Sequence, residues 1–315
     1  MVRPCKKVII AGAGTMGASL AQVYALAGWH VVVYGRSERG LERGGHLISL
    51  NQEKLIEKAI ISKEQSVAAL ENITFTTSME CFADCELLVE SIVEDMDQKK
   101  EFWQKASELT PDRALLASNT SGLSITEMAK VIKNPERFMG QHWLNPPHLL
   151  PLCEIVVGDK SNPERVAEMR ELVASLGKSP VIVKDIPGFL INRIQFALLR
   201  EALHIVENGW ASFEDIDTVL KGGMGLRYAA LGPFGVADFG GLDVFEHISS
   251  YLNPELCDRK DVSEMFSRMV AEGRLGVKNG AGFYDYADGK ADTAIRERDD
   301  LYIELAKLLY FRKGE

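Results

Sequence analysis

Short apolar runs alternate with amphipathic stretches through the first half of the chain. Several runs show no polar–apolar alternation, which is typical of parallel strands buried on both faces. The stretches between them have the period of helices that bury one face. The predicted strands are 8–11, 30–34, 73–75, 87–90, 114–118, 138–142 and 181–184, and the predicted helices include 17–27, 52–57, 98–109, 124–132 and 163–176. This order predicts an α/β fold with a doubly wound, mostly parallel sheet.

The pattern changes after Pro187 and Gly188, because no strong strand follows them. Long amphipathic stretches take over, and their spacing predicts helices at 189–207, 213–221, 238–251 and 261–272. A chain of 315 residues also exceeds the length at which one hydrophobic core usually keeps growing. We therefore predict two domains, an α/β domain over 1–186 and an all-helical domain over 187–315.

Composition and charge exclude several classes of protein. With 46% hydrophobic and 26% charged residues, the chain has the composition of a globular protein with a large core. Its net charge of −9 and the lack of a long Lys/Arg run argue against a nucleic-acid partner. No apolar stretch is long enough to span a bilayer, and the first residues lack the apolar segment of a secretory signal. We therefore expect neither a nucleic-acid nor a membrane partner.

The cysteines are odd in number and scattered along the chain. This distribution fits reduced thiols in a cytoplasmic protein better than a disulfide framework. Two of them lie four residues apart, but no second pair of ligands accompanies them, so we expect no metal site. The five positions are Cys5, Cys81, Cys85, Cys153 and Cys257.

A glycine-rich motif, Gly12-Ala-Gly14-Thr15-Met16-Gly17, follows the first predicted strand and opens the first helix. The first glycine permits a tight turn, the second lets the backbone approach a pyrophosphate, and the third allows close packing of helix on strand. The N-terminus of the helix adds free N–H groups and a favourable dipole for the phosphate. The motif in this position predicts a Rossmann dinucleotide-binding domain.

The end of the second strand predicts which dinucleotide is preferred. An acidic residue there would accept hydrogen bonds from the ribose hydroxyls of NAD and repel a 2′-phosphate. The sequence instead has Gly35, Arg36 and Ser37, and a guanidinium and a hydroxyl both suit a phosphate monoester. We expect an NAD(P) cofactor with NADP(H) preferred. The alternative is that Arg36 stacks on the adenine or faces solvent.

Polar residues follow two further predicted strands. Ser118-Asn-Thr-Ser121 follows one and His142-Trp-Leu-Asn145 the next, and ligands bind beyond the carboxyl ends of strands in such sheets. Taking a hydride from an alcohol requires a base for the hydroxyl proton, and imidazole titrates closest to neutral pH, which indicates His142. Glu154 lies in an apolar run, where an unpaired carboxylate would be costly. A His142–Glu154 pair is one solution, which spacing alone leaves open.

Together these segments resemble the 3-hydroxyacyl-CoA dehydrogenase family. The match is ordered along nearly the whole chain and is far more specific than any single motif. It comprises GAGTMG at 12–17, VESIVED at 89–95, ASNTS at 117–121, HWLNP at 142–146, Glu154, PGFLINR at 187–193 and GAGFYDY at 280–286.

The resemblance implies a role for each residue of the site. His142 would be the catalytic base and Glu154 its partner, and the family's helical domain implies a homodimer. Ser121 and Asn192 would hold the oxygen of the substrate. The positions of Glu94, Lys99 and Asn145 would lie near the nicotinamide half of the cofactor.

The sequence departs from the family pattern in two places. Gly35 replaces the usual acidic residue, which weakens the expectation of NAD specificity. Arg227 and Tyr228 precede a Gly-Pro-Phe at 232–234, where the fatty-acid enzymes usually have small apolar residues. This resembles the branch of lambda-crystallin (L-gulonate 3-dehydrogenase) and carnitine dehydrogenase, and Arg227 could bind the carboxylate of a free 3-hydroxy acid. The alternative is that Arg227 caps a helix or forms a salt bridge.

Three functions follow from these patterns. The leading hypothesis is a short-chain 3-hydroxyacyl-CoA dehydrogenase of fatty acid metabolism. The second is a free 3-hydroxy-acid dehydrogenase of the gulonate or carnitine kind. The third, a structural or binding protein on the same scaffold, is disfavoured because the full set of acid–base and oxygen-holding residues is present. Lys54 and Lys58 could meet CoA phosphates, or could be solvated on their helix.

Overall fold

We describe residues 6–310 of the chain in a computed structural model. They form two compact units, one of residues 6–192 with 302–310 and one of residues 193–301. The contacts thus assign residues 187–192 and the last helical turns, at 302–310, to the first unit. The division at 186/187 remains a prediction about domains. Cys5 lies outside the described residues.

The first unit is built on one eight-stranded sheet. Its strands are β1 (Lys7–Ala11), β2 (His30–Tyr34), β3 (Ile73–Thr76), β4 (Leu87–Glu90), β5 (Leu115–Ser118), β6 (Phe138–Trp143), β7 (Leu152–Val157) and β8 (Ser179–Lys184). The strand order is β3-β2-β1-β4-β5-β6-β7-β8. All neighbouring pairs are parallel except β6 and β7. The expected doubly wound, mostly parallel Rossmann-type sheet is confirmed.

Strand β7 is the one strand of the described sheet that the hydrophobic pattern did not predict. The stretch from Leu149 to Val157 is apolar except for Glu154, and such a short run does not distinguish a strand from another buried segment. In the structure Leu152–Val157 pairs antiparallel with β6 and parallel with β8. The reversal at β6 and β7 places the end of β6 beside the middle of β7, and this position matters for the site.

Helices cover both faces of the sheet. Residues of α1, α2 and α6 belong to one buried apolar cluster with alternate residues of β1 and β2. Residues of α4 and α5 belong to a second cluster with the other alternate residues, as the two-residue period of strands requires. The helices of this part of the chain are α1 (Thr15–Leu26), α2 (Glu38–Glu57), α3 (Lys63–Glu71), α4 (Met96–Leu109), α5 (Ile125–Ala129) and α6 (Pro163–Ser175).

The rest of the described chain is helical, as expected for the C-terminal domain. The predicted helix at 238–251 is in fact two helices that meet at Gly241, whose φ of 90° ends the first of them. The last helix was not predicted. The elements are α7 (Ile191–Glu207), α8 (Phe213–Val219), a π-helical turn (Leu220–Gly225), α9 (Leu226–Gly240), α10 (Leu242–Leu252), α11 (Glu264–Ala271) and α12 (Lys290–Leu309). No helix within residues 6–310 is long and apolar enough to cross a membrane.

Candidate active site

His142 and Glu154 face each other across the only antiparallel step of the described sheet. The register of β6 and β7 places the two residues directly opposite. His142 Nδ1 lies 2.7 Å from Glu154 Oε2, and the side chains are 4% and 2% exposed. The structure therefore brings together the histidine and the carboxylate that the sequence singled out, and it pairs them without water between them.

The second oxygen of Glu154 is held by the backbone at the start of α7. Glu154 Oε1 accepts hydrogen bonds from the N–H groups of Leu190 at 3.0 Å and Ile191 at 2.9 Å. Such N–H groups have no partner inside a helix and need one from elsewhere. Burial by itself raises the pKa of the Glu154 carboxyl, but the hydrogen bonds from His142, Ile191 and Leu190 together bring the pKa below its usual value. Glu154 is thus an ionised hydrogen-bond acceptor at neutral pH.

The turn before α7 shapes this arrangement. Gly188 has a φ of 78° and Phe189 a φ of 50°, and this left-handed conformation is costly for a residue with a large side chain. The Phe189 ring is fully buried, and its centroid lies 5.4 Å from that of His142. The strained turn therefore both directs two N–H groups at Glu154 and packs an apolar ring beside the imidazole.

The pairing fixes which nitrogen of His142 can react. An ionised carboxylate can only accept a hydrogen bond, so Nδ1 of His142 carries a proton and donates a hydrogen bond to Glu154. In the neutral ring Nε2 then has the free lone pair. His142 can accept a proton at Nε2 while Glu154 stabilises the cation that forms.

The loop after β5 carries Ser121, whose backbone is held on both sides. Its N–H donates to Glu94 Oε1 at 2.8 Å, and its carbonyl oxygen accepts from Asn192 Nδ2 at 2.7 Å. The neighbouring Thr120 hydroxyl also donates to Glu94 Oε1, at 2.6 Å. Ser121 is thus in direct contact with both Glu94 and Asn192, two of the other residues that the family resemblance singled out.

Glu90 is a charged residue of the VESIVED segment for which the sequence predicted no role. Glu90 ends β4 and is fully buried. Its carboxylate pairs with Lys99, also fully buried, at 2.5 Å, and Lys99 in turn lies 3.4 Å from Glu94 Oε2. The feature of the sequence that could have revealed Glu90 is an acidic residue at the end of an otherwise apolar strand. An acidic residue is rarely buried there unless it has a partner.

Asn145 lies two residues beyond β6 and is exposed. The loop that follows it is held by Lys178, whose Nζ donates to the carbonyl oxygens of Pro147 at 2.7 Å and Leu150 at 3.1 Å. Burial lowers the pKa of Lys178 to about 8. Lys178 was not singled out from the sequence, because nothing local marks a lysine whose partners are carbonyls 28 and 31 residues away.

The glycine motif forms a cradle for a ligand, and its glycines differ in what a side chain at each position would meet. A Cβ on Gly12 would lie 2.3 Å from the carbonyl oxygen of Ser91, and one on Gly17 would lie 1.8 Å from the carbonyl oxygen of Gly12. A Cβ on Gly14 would meet nothing within 4 Å. Gly14 also precedes α1 without a side-chain cap, so the N–H groups that open α1 are available to a ligand. Open space with free donors at Gly14, Thr15 and Met16 fits a pyrophosphate.

The segment that follows β2 has one residue engaged in the fold and one exposed. The Ser37 side chain caps α2, because its Oγ accepts the N–H of Gly40 at 3.2 Å. Arg36 is exposed. A Cβ on Gly35 would lie 2.7 Å from Cδ2 of Leu41, so a larger residue requires a shift of that flexible side chain. The hydroxyl proton of Ser37 and the guanidinium of Arg36 remain able to donate.

Arg227 belongs to the second unit, where it is the second residue of α9 and exposed. Within residues 6–310, no group of three or more His, Cys, Asp or Glu side chains could hold a metal ion. The groups assembled in the first unit instead suit acid–base chemistry beside a dinucleotide, with a paired imidazole, a fixed serine loop and a cradle for phosphate.

Two family models match the chain and together cover most of it. The model described as "3-hydroxyacyl-CoA dehydrogenase, NAD binding domain" matches residues 7–186, and "3-hydroxyacyl-CoA dehydrogenase, C-terminal domain" matches residues 188–286. Helix α12 lies beyond the second match.

Several relatives agree with these matches. The chain is 34% identical to 5-formyl-3-hydroxy-2-methylpyridine 4-carboxylate 5-dehydrogenase of Mesorhizobium japonicum, over 98% of this chain and 99% of the relative. It is 35% identical to 3-hydroxybutyryl-CoA dehydrogenase of Clostridioides difficile, over 89% of this chain and 99% of the relative.

Solved structures show the same two kinds of relative. A crystal structure of the pyridine carboxylate 5-dehydrogenase, described as an NAD+ dependent dismutase, superposes with a TM-score of 0.91 at 33% identity, over 98% of this chain and 100% of that one. (S)-3-hydroxybutyryl-CoA dehydrogenase from Ralstonia eutropha gives 0.74 at 33% identity, over 90% and 100%. The chain belongs to the 3-hydroxyacyl-CoA dehydrogenase family and is an NAD-dependent oxidoreductase.

Proposed function

We propose that the protein transfers a hydride between NAD(P) and the 3-hydroxyl of a short-chain 3-hydroxyacyl-CoA. The observation that carries the proposal is the buried His142–Glu154 pair, at 2.7 Å, in the same unit as the glycine cradle and the Ser121 loop. A buried imidazole with a carboxylate on one nitrogen is arranged to accept a proton on the other.

Each candidate site residue of the first unit has a part in this mechanism. His142 Nε2 takes the hydroxyl proton of the substrate during oxidation and returns it during reduction, and Glu154 stabilises the imidazolium. Ser121 and Asn192 hold the substrate oxygen. The residues Gly12, Gly14, Thr15, Met16 and Gly17 hold the pyrophosphate, with Glu94 and Asn145 toward the nicotinamide end. Lys99, whose side chain is 0% exposed, would act there through its ion pair with Glu94. The nicotinamide, when bound, supplies the hydride acceptor or donor.

The CoA thioester is the leading substrate class. Relatives named 3-hydroxybutyryl-CoA dehydrogenase support it, at 34–35% identity over 89–92% of this chain. Lys54 in the last turn of α2, and Lys58 just after that helix, would meet the phosphates of CoA. Both lysines have other contacts in the fold, so phosphate binding would compete with those contacts.

A free hydroxy acid or carboxylate is the second candidate. It is favoured by the relative that acts on a pyridine carboxylate, because that relative extends over 98% of this chain and its structure superposes with the TM-score of 0.91. Arg227 would bind the carboxylate through paired N–H donors. Replacing it with leucine should weaken binding of a free acid by several-fold to a few hundredfold, in line with about 1.5–3 kcal/mol for a hydrogen bond to a charged group. A CoA thioester should be affected much less, and equal losses would assign Arg227 to packing.

NADP(H) is the proposed preferred form of the cofactor, with Arg36 and Ser37 as donors to the 2′-phosphate beside Gly35. Arg36 is exposed and free to turn toward a ligand. The N-terminus of α2, at Ser37, adds a favourable dipole for an anion. These features support attraction for the phosphate, whereas an acid at position 35 would repel it.

A homodimer formed through the helical unit, in the cytoplasm, completes the proposal. Several large apolar side chains between 226 and 242 are exposed, and such a patch usually marks an interface. The largest exposed fractions are 86% for Phe234, 84% for Phe239, 67% for Leu226 and 62% for Leu242. A Phe234→Ser/Phe239→Ser variant should elute as a monomer by light scattering. The four described cysteines carry free thiols, which fits a reducing compartment.

The deciding experiment measures initial rates for 3-hydroxybutyryl-CoA, free 3-hydroxybutyrate, L-gulonate and carnitine, each with NAD and NADP. His142→Gln should lower kcat by roughly two to four orders of magnitude, the usual worth of general acid–base catalysis. His247→Gln, on the exposed surface of α10, is the matched control and should retain wild-type rates. Activity near wild type in His142→Gln would remove His142 from the mechanism.

A further inference from the structure

A charged pair is buried directly below the serine loop, although a sheet of this kind needs no charge at that position. The side chains of Glu90 and Lys99 are both 0% exposed, and their charged atoms lie 2.5 Å apart. Glu90 belongs to β4, which is otherwise apolar, and Lys99 to the face of α4 that packs on the sheet beside Trp103. Both charges have therefore been removed from water.

Stability does not account for this pair. Removing two charges from water costs several kcal/mol for each ion, and well-packed apolar residues of similar volume are often as stable or more stable, by about 1–4 kcal/mol. Burial of this pair is therefore weak evidence for a role in stability. Its polar contacts therefore call for another explanation.

Those contacts fix the Glu90 carboxylate completely. Oε1 accepts from Lys99 Nζ and from the N–H of Ile92 at 2.8 Å. Oε2 accepts from the Ser118 hydroxyl at 2.7 Å and from the Trp103 indole at 3.3 Å. A carboxylate has about four acceptor sites, so all of them are used and Glu90 can hold Lys99 in only one orientation.

Lys99 transmits this position to the surface. Its Nζ also lies 3.4 Å from Oε2 of Glu94, whose side chain is 46% exposed. An exposed glutamate with no such partner would sample several rotamers. The other oxygen of Glu94 accepts the N–H of Ser121 and the hydroxyl of Thr120. A continuous series of contacts thus runs from the buried strand end to the backbone of Ser121.

We infer that Glu90 and Lys99 are positioning residues for the reaction, which act by holding Glu94 and, through it, the Ser121 loop. The inference rests on the proposed function, because it takes Ser121 as the residue that holds the substrate oxygen. Glu90 itself is too deeply buried to touch a ligand.

Glu90→Gln tests the inference with the least change in shape. A glutamine offers one oxygen and one NH2 group where four donors point. Only one acceptor oxygen remains, and Lys99 loses the negative charge that holds it in place beside Glu94. Because a displacement of about 1 Å at a reacting group can cost about 100-fold, kcat should fall on the order of 10- to 100-fold. Glu101→Gln, which breaks the exposed Glu101–Lys105 pair on the same helix, is the matched control and should leave kcat within about twofold, as expected for a surface ion pair.

A double-mutant cycle with Ser121→Ala separates positioning from general damage to the fold. If Glu90 acts through Ser121, Glu90→Gln should lower kcat by less than about threefold once Ser121 is alanine, since residues of one network are not additive. The same fold loss in both backgrounds would overturn the inference. If Ser121→Ala alone leaves kcat unchanged, the proposed role of Ser121 fails as well, so the two failures are distinguishable.

Ser118→Ala is the second variant, in case Glu90→Gln does not fold. It removes only the 2.7 Å bond to Oε2 of Glu90 and leaves both charges paired. We expect a several-fold loss of kcat in the wild-type background and none in the Ser121→Ala background. No loss in the wild-type background would also overturn the inference.

Discussion

Glu154→Gln is the most informative single substitution, because the surroundings of Glu154 decide how the amide must turn. Oε1 of Glu154 accepts two backbone N–H groups, from Leu190 and Ile191, while Oε2 accepts from His142. A glutamine has one oxygen for these two sites. If that oxygen stays with the two N–H groups, its NH2 group faces His142 Nδ1. Nδ1 must then be the acceptor, and the ring proton moves to Nε2.

That tautomer cannot accept a proton at Nε2. The productive tautomer requires the amide to flip, which leaves two part-buried N–H groups without an acceptor, at about 1–3 kcal/mol each. The total of about 2–6 kcal/mol corresponds to a loss of activity between about 30-fold and about 20,000-fold, at about 1.4 kcal/mol for each factor of ten. Serine proteases behave similarly, since an amide in place of the aspartate behind the histidine lowers kcat about 10,000-fold.

The assay combines kcat in both directions with 15N NMR of the His142 ring. The wild type should carry the ring proton on Nδ1 and the variant on Nε2. Glu171→Gln, exposed on α6, is the matched control. A kcat within threefold of wild type, or a proton that stays on Nδ1 in the variant, would refute the reasoning.

Three further predictions concern the cofactor and the loop after β6. Gly14→Ala should leave the melting temperature unchanged and raise KM for the cofactor, because its Cβ meets only open space where the pyrophosphate approaches. Gly17→Ala should lower the melting temperature as well, because its Cβ would collide with the carbonyl oxygen of Gly12; equal melting temperatures for the two variants would contradict this. In the wild type kcat/KM should be more than about ten times higher with NADP than with NAD, because charge-assisted hydrogen bonds to the 2′-phosphate are worth about 1.5–3 kcal/mol. The preference should reverse in Gly35→Asp/Arg36→Ile, where the new carboxylate accepts from the ribose hydroxyls. A wild-type preference for NAD would mean that Arg36 turns away from the ribose. Lys178→Met removes an ammonium whose pKa falls from 10.5 to about 8 on folding. Between these two pH values the unfolded wild-type chain binds more protons than the folded one. The unfolding free energy of the wild type, measured by denaturant titration, should therefore rise relative to that of the variant from pH 8 to pH 10. The absence of this trend would contradict the lowered pKa of Lys178.

Local sequence determined the cofactor end of the molecule. The glycine turn between β1 and α1 is marked by its own residues, although only Gly17 answers to a contact inside the motif, whereas Gly12 answers to the carbonyl oxygen of Ser91 and Gly14 to open space. Gly17 packs on Gly12, and the N–H groups of α1 follow directly from where that helix starts. The alternation of apolar runs and amphipathic helices likewise determined the doubly wound sheet, since burial on both faces leaves its mark on every strand.

Position along the chain also selected His142, Ser121 and Glu154, but not their geometry. The sequence left the His142–Glu154 pair open, because the apolar run that contains Glu154 does not show that it is a strand. Only the antiparallel pairing of β7 with β6 places the two residues opposite each other. That pairing depends on which strands become neighbours in the sheet, and hydrophobic periodicity carries no information about neighbours.

The remaining polar partners were decided by tertiary structure alone. Glu154 meets N–H groups 36 and 37 residues further along the chain, and Glu94 meets the N–H of Ser121 27 residues further on. Backbone N–H groups are present at every residue except proline, so no side-chain pattern marks the ones that will serve a site. Which of them become available depends on where a helix starts in space, and that is fixed only when the chain has folded.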